Sequence, residues 1–240
     1  MKSKPIPTLR LMAYNIRHGA GMDGCLDLPR IASAISRYAP DVVLLQEVDE
    51  RCGRTDRVDQ MQVLGQLTDM HHFFGAFRAF DGGRYGMGAL CKAPLAEPAQ
   101  YGWESGDIAR CWIAVQGTWG TDWDAVVFTG MHLYTDPELR LQQAERVRDL
   151  FASASHPIVL AGDFNCEPGA PAAELLDAHW QRATKEGDRY TFPADVPTKE
   201  IDFVFARPVH RIRVQRCWVG SEAMASDHRP VLADLALQPA

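Results

Sequence analysis

HHFFGAFRAFDGGRYGMGALCKAPL, residues 71–95, decides how the chain folds. HHFFGAF (71–77) and YGMGALCK (85–92) are rich in aromatic and small apolar residues and read as strands. Asp81-Gly82-Gly83 supplies the turn between them. CWIAVQGTW (111–119) and DAVVFTGMHL (124–133) repeat the pattern, again split by Gly, Pro or charged turns. Successive strands without an intervening helix argue for two packed, mixed sheets with helices outside, rather than a doubly wound parallel sheet.

The flanks supply the helices and the buried strands. LPRIASAISRYAP (28–40) places Leu28, Ile31, Ile35 and Tyr38 at helical spacing, with Asp27 as N-cap and Pro29 in the first turn. RVDQMQVLGQLTDM (57–70) reads as a second helix. The clearest is TDPELRLQQAERVRDLFASAS (135–155), where Asp136 caps, Pro137 opens, and Leu141, Ala144, Val147 and Phe151 form one face. LRLMAYNI (9–16), DVVLLQEV (41–48) and PIVLAGDFN (157–165) read as strands, the last two apolar runs that end polar. IDFVFA, IRVQRCWVG and RPVLADLAL complete the strands. No repeat, low-complexity tract or long linker interrupts the chain, which points to one domain over 1–240.

With 240 residues, 46% of them apolar, a sizeable core is available and disorder is not expected. The net charge of −6 argues against holding nucleic acid by bulk electrostatics. Arg207, Arg211, Arg213 and Arg216 read as solvated charges on a strand face. The six cysteines are scattered without a CxxC pair, which disfavours a zinc cluster or a dense disulfide framework. Reduced thiols, an N-terminal apolar run too short for a secretion signal and no segment near ~20 apolar residues lead to the expectation of a soluble cytoplasmic protein. Of the six tryptophans, core packing is expected for most, with some available to line a substrate pocket.

The polar ends of the strands carry the chemistry. Asn15, Gln46, Glu47, His132, Asp163, Asn165, Asp202, Asp227 and His228 each stand where an apolar strand starts or stops. Taken singly, each has an ordinary reading as a turn former, a first solvated residue or a satisfied core histidine. Strand ends that meet at one edge can assemble a site from distant segments. Four acids and three amides without a thiolate are hard oxygen donors, suited to Mg²⁺ or Mn²⁺ rather than zinc. Two histidines among them suit proton transfer near neutral pH. The chemistry this set points to is metal-assisted attack of water on a phosphate ester.

AYNI, LLQEV, TGMHL, AGDFN, IDFVF and SDHRPV, in that order over about residues 9–236, resemble the endonuclease/exonuclease/phosphatase superfamily. The resemblance implies a four-layer α/β sandwich, two mixed, mainly antiparallel sheets packed face to face with helices on the outside. It implies a Mg²⁺- or Mn²⁺-dependent phosphohydrolase with Glu47 as the central metal ligand, helped by Asn15 and Asp227. Asp163 is implied to orient or deprotonate the attacking water or to bind a second metal, and Asn165 to contact phosphate or metal. His228, oriented by Asp202, would bond the phosphate and act as base, and His132 would stabilise the phosphate or protonate the leaving group. Arg110 falls where the family often has an arginine, a candidate fork for a phosphate oxygen. A histidine at 132 points away from the abasic-endonuclease branch. Met87 and Cys91 depart from the family's usual polar residues, and no acid partner for His132 is evident.

The substrates to expect are a phosphorylated small molecule, a phospholipid head group or a short nucleic acid. No protein partner is expected. Two other readings stay open: an endo- or exonuclease acting on DNA, which salt-steep DNA affinity would support, and a non-catalytic relative that binds phosphorylated ligands.

Overall fold

The computed structural model describes residues 8–94, 96–105, 108–118, 125–154, 156–208 and 210–237. In chain order the elements are β1 (Thr8–Asn15), α1 (Leu28–Tyr38), β2 (Val42–Glu50), α2 (Gln60–Thr68), β3 (His71–Phe80), β4 (Gly83–Cys91), β5 (Ala96–Ser105), β6 (Ile108–Thr118), β7 (Ala125–His132), α3 (Pro137–Leu150), β8 (Ile158–Asp163), α4 (Pro171–Asp177), β9 (Gln181–Arg182), β10 (Asp202–Arg207), β11 (Ile212–Val219) and β12 (Val231–Leu237). One six-stranded sheet runs β11-β12-β1-β2-β4-β3 and the other β5-β6-β7-β8-β10-β9. Only β1–β2 and β7–β8 are parallel among the strand pairs described; the others are antiparallel. This is the expected sandwich, and residues 71–95 form the β3–β4 hairpin.

Alternation along the strands sorts side chains between two faces. Leu9, Leu11, Ala13, Val42, Leu44, Met87 and Ala89 of the first sheet meet Val126, Phe128, Val159, Ala161 and Val204 of the second in a shared core. The opposite face of the first sheet, through Met12, Tyr14, Val43 and Leu45, packs on Ile31 and Ile35 of α1 and Met61 and Leu64 of α2. The outer face of the second, through Met131, Leu160, Phe203 and Phe205, packs on Ala144 and Val147 of α3 and Leu176 of α4. Met87 and Cys91, the two departures from the family pattern, fill the space between the sheets.

The helix ends follow the sequence signals. Asp27 accepts the Arg30 amide, and Asp136 accepts those of Glu138 and Leu139 with Pro137 in the first turn. Of the four arginines near the C-terminal end, Arg213 and Arg216 are exposed on β11, an edge strand, where charge discourages pairing with another chain. The free cysteines Cys52, Cys91, Cys166 and Cys217 are buried and Cys25 is exposed.

Strand register places the polar ends. His132 pairs with Asp163 at the end of β7–β8, and Asp163 pairs with Asp202 at the start of β10, so three candidate residues form one row across the second sheet. In the first sheet, Asn15 pairs with Gln46. Beyond it, the β2–β4 register shifts so that Gln46 and Glu47 together oppose Met87, a β-bulge, with Glu47 at φ +60°. A bulge bends the strand and re-aims a side chain. It turns Glu47 toward the row in the other sheet.

Gly162 lets β7 and β8 approach beside that row. A Cβ there would stand 2.0 Å from the Met131 carbonyl oxygen and 2.9 Å from the Gln46 amide nitrogen, at φ +147°. Gly162→Ala is expected to lower stability by about 1–3 kcal/mol, the range for overpacking. Equilibrium urea unfolding checks it; an unchanged midpoint would contradict the close approach.

Candidate active site

Asn15, Glu47, His132, Asp163, Asp202 and His228 meet where the two sheets end. Asn15, buried at the end of β1, donates its side-chain amide to Glu47 Oε1 at 3.1 Å and to Asp163 Oδ2 at 3.2 Å, one amide serving two acids. Its own Oδ1 accepts the Arg17 backbone amide at 3.1 Å, which fixes the direction of the side chain. Asp163 is 2% exposed, and its Oδ1 accepts the Asn165 backbone amide at 2.8 Å. Asn165 sits at φ +50°, a conformation Asn tolerates, and donates its side-chain amide to the Leu133 carbonyl at 2.9 Å.

Both imidazoles converge on Asp163. His132 Nε2 lies 3.6 Å from Asp163 Oδ2 and 3.9 Å from Glu47 Oε1. These are the acids nearest a histidine for which the sequence offered no partner. His228 Nε2 lies 3.8 Å from the same Asp163 oxygen, and its Nδ1 lies 3.0 Å from Asp202 Oδ2. The Phe192 ring packs against His228 with centroids 4.9 Å apart. Asp202 thus holds one imidazole nitrogen and leaves the other facing the centre, the arrangement that fixes a tautomer.

Burial shapes the proton affinities. Removal from water pushes the Asp163 carboxyl up, to about 7; neighbouring His228 pulls it down and Asp202 pushes it up further. Burial works to lower the affinity of His228, but the Asp202 and Asp163 carboxylates outweigh it and raise it above an ordinary imidazole. Asp163, Asp202 and His228 offer ligand atoms within 4.8 Å of one another. Asp202 and His228 are already bonded to each other, while Glu47 and Asp163 share the Asn15 side-chain amide. A buried acid this costly to ionise, close to a second carboxylate, suits a hard divalent ion.

Asp227 lies at the rim. Its carboxylate is 3.6 Å from Arg17 Nε and 3.3 Å from the Ser226 hydroxyl, which donates to the Asn15 carbonyl at 2.7 Å. Arg110 is on β6 opposite Trp103, with its side chain outside the described residues. Gln46, next to Glu47, points its amide back to the Leu44 carbonyl at 3.1 Å.

Two neighbours were missed by sequence reasoning. Thr191, fully buried, donates its hydroxyl to Asp202 Oδ2 through a very short hydrogen bond. It lies in an irregular stretch with no periodicity to mark it. Arg17 follows the β1 end in AYNIRHG, and a basic residue two positions past a polar strand end was the available signal.

An acid–imidazole pair faces a cluster of carboxylates at the joined ends of two sheets in a four-layer α/β sandwich. The chain belongs to the Endonuclease/Exonuclease/phosphatase family, whose model matches residues 12–228. Members of this family are hydrolases that act on phosphate esters. No curated protein matches the chain. Among solved structures, a functionally unknown conserved protein from Enterococcus faecalis V583 is similar at 19% identity and TM-score 0.82, over 96% of this chain and 100% of that one. An endonuclease/exonuclease/phosphatase from Beutenbergia cavernae DSM 12333 is similar at 25% identity and TM-score 0.75, over 96% and 72%. The mannosyl-6-phosphatase of Bacteroides thetaiotaomicron VPI-5482 is similar at 17% identity and TM-score 0.76, over 95% and 100%. Among the described residues, no helix is long and apolar enough to cross a membrane.

Proposed function

We propose that this chain is a divalent-metal-dependent phosphohydrolase that cleaves a phosphate ester by attack of water at phosphorus. The observation that carries the reading is the convergence of His132, His228 and Asn15 on a single oxygen, Asp163 Oδ2. Glu47, helped by Asn15 and Asp227, would hold Mg²⁺ or Mn²⁺, with Asn15 turning toward the ion the oxygen that here accepts the Arg17 amide. Bound there, the cation supplies Lewis-acid polarisation of the phosphoryl oxygen.

The chain's own residues do the rest. Asp163 orients the attacking water and takes its proton, a role suited to a buried carboxyl whose proton affinity is raised toward neutrality. Asp202 holds His228 Nδ1, so that Nε2 donates to a phosphate oxygen as charge builds in the transition state. His132 reaches the same Asp163 oxygen and donates to the phosphate or to the departing oxygen. Asn165 adds a donor at the rim, and Arg110 is a further candidate for a phosphate oxygen. Hydrolysis in ¹⁸O-water tests the reading: label is expected in the phosphorus-containing product, inorganic phosphate from a monoester or the phosphomonoester from a diester. Label in the alcohol instead would place the break at carbon and overturn it.

Thr191 acts through Asp202, as a positioning residue. Thr191→Val removes the hydroxyl at nearly constant volume and leaves one oxygen of a buried carboxylate short of a donor. A hydrogen bond to a charged group contributes about 1.5–3 kcal/mol. kcat is expected to fall roughly tenfold with KM little changed, and Thr191→Ser to restore it. Equal loss in both variants would mean that the hydroxyl does not orient the pair.

A further inference from the structure

A cleft of about 620 Å³ opens directly beside His228 and Asn165. Thr135 and Glu167, from the loops after β7 and β8, and Phe192 and Lys199, from a single hairpin, line its walls. Both walls are built before anything binds. Arg140, itself buried, donates from one nitrogen to the carbonyls of Asn165 at 2.6 Å and Thr135 at 3.0 Å, clamping the loops after β8 and β7 together. Phe192 and Lys199 pair as an antiparallel bridge, with backbone bonds of 2.9 and 3.2 Å between them, and the Ala194 amide ties this hairpin to the Asp227 carbonyl at 2.8 Å.

The charges in the cleft are unspent. Glu167 and Lys199 are both exposed, and among the described residues neither has an ion-pair partner; the Lys199 ammonium only rests 5.9 Å from the Phe192 ring centroid. Glu167 offsets only part of the positive charge of Lys199, Arg140 and His228, which line the same cleft, so the cleft carries a small local positive charge that suits one phosphate ester and is far from the basic groove that holds a long polyanion. Close at hand, Glu167 and Lys199 offer what a polyhydroxylated ring needs: a carboxylate that accepts from hydroxyls, an ammonium that donates to them, and an aromatic ring beside them. The volume is that of a small-molecule site.

We infer that this cleft seats the leaving group of the substrate, and that the leaving group is a polyhydroxylated ring of sugar size whose hydroxyls bond to Glu167 and Lys199. The inference rests on the reading of the chain as a phosphohydrolase and goes beyond it by assigning the substrate class and the residues that select it. Hexose, inositol and nucleoside esters share this chemistry.

The test compares kcat/KM for mannose 6-phosphate, inositol 1-phosphate and adenosine 5′-monophosphate with that for p-nitrophenyl phosphate, in wild type, Glu167→Ala and Lys199→Ala. Titration calorimetry of the three ring esters runs beside it. One ring ester is expected to outperform p-nitrophenyl phosphate, which names the source. Each variant is expected to lower its kcat/KM by roughly tenfold or more, while p-nitrophenyl phosphate turnover stays within about twofold. The proposal is overturned if p-nitrophenyl phosphate is the better substrate, or if the variants change both substrates alike or neither. Variant-sensitive binding of a ring ester by protein that hydrolyses neither these monoesters nor bis-(p-nitrophenyl) phosphate upholds the cleft and overturns the phosphohydrolase reading. Turnover without variant sensitivity does the reverse, and neither ring-ester binding nor turnover of any of these esters, bis-(p-nitrophenyl) phosphate included, removes both.

Discussion

His228→Ala lowers kcat by about 10² or more, with the fold retained, when the imidazole donates to phosphate in the transition state. The geometry gives the reason. His228 is 5% exposed, its Nδ1 is held 3.0 Å from Asp202, and its Nε2 faces Asp163 at 3.8 Å. Removing the ring deletes a donor that is already aimed, so no compensating side-chain rearrangement is expected to restore it. It also leaves Asp202 buried with Thr191 as its side-chain donor, and some loss of stability accompanies the loss of rate. His228→Gln separates the two effects, because its amide can still donate to Asp202. Gln is expected to recover stability but not activity. Steady-state kinetics alongside thermal unfolding checks this, and a rate loss under about threefold in the Ala variant would remove His228 from the mechanism.

Glu47→Gln carries the second large effect. Glu47 stands in a bulge at φ +60°, a conformation that costs an L-residue roughly 1–2 kcal/mol. Such strain is held where the surrounding structure needs the side chain in one place. Gln keeps the size, the backbone and an oxygen that can accept from Asn15, and loses only the charge. kcat is expected to fall by roughly 10² to 10³, as for loss of a principal electrostatic contact, and the Mg²⁺ titration midpoint to rise by about tenfold or more, equivalent to ~1.4 kcal/mol. An unchanged Mg²⁺ titration would show that Glu47 does not hold the cation.

How far the sequence revealed all this depended on whether a residue lay in a periodic segment. DVVLLQEV and PIVLAGDFN are apolar runs with polar ends, and they form β2 and β8 with Glu47 and Asp163 at the centre of the site. TDPELRL carries a cap and a proline at the right positions, and α3 starts there. β5, with Glu97, Pro98 and Gln100 in an edge strand, lacks the alternation that marks a half-buried strand. α4 has seven residues and no side-chain cap, too little for periodicity to show. The bulge at Gln46–Glu47 and the contact of Thr191 with Asp202 are tertiary facts. They depend on the register between strands far apart in sequence, which no local pattern records. The same holds for His132, whose acids, Asp163 and Glu47, arrive from two different strands.

The central claim is that carboxylates at the joined sheet ends use a divalent ion to hydrolyse a phosphate ester. The measurement that tests it most directly is hydrolysis of p-nitrophenyl phosphate and bis-(p-nitrophenyl) phosphate by EDTA-treated protein before and after addition of Mg²⁺ or Mn²⁺, with Glu47→Gln alongside. The account predicts no turnover in EDTA, recovery of at least one of the two activities on adding the metal, and little recovery in Glu47→Gln. Turnover that persists in EDTA at the same rate would contradict it.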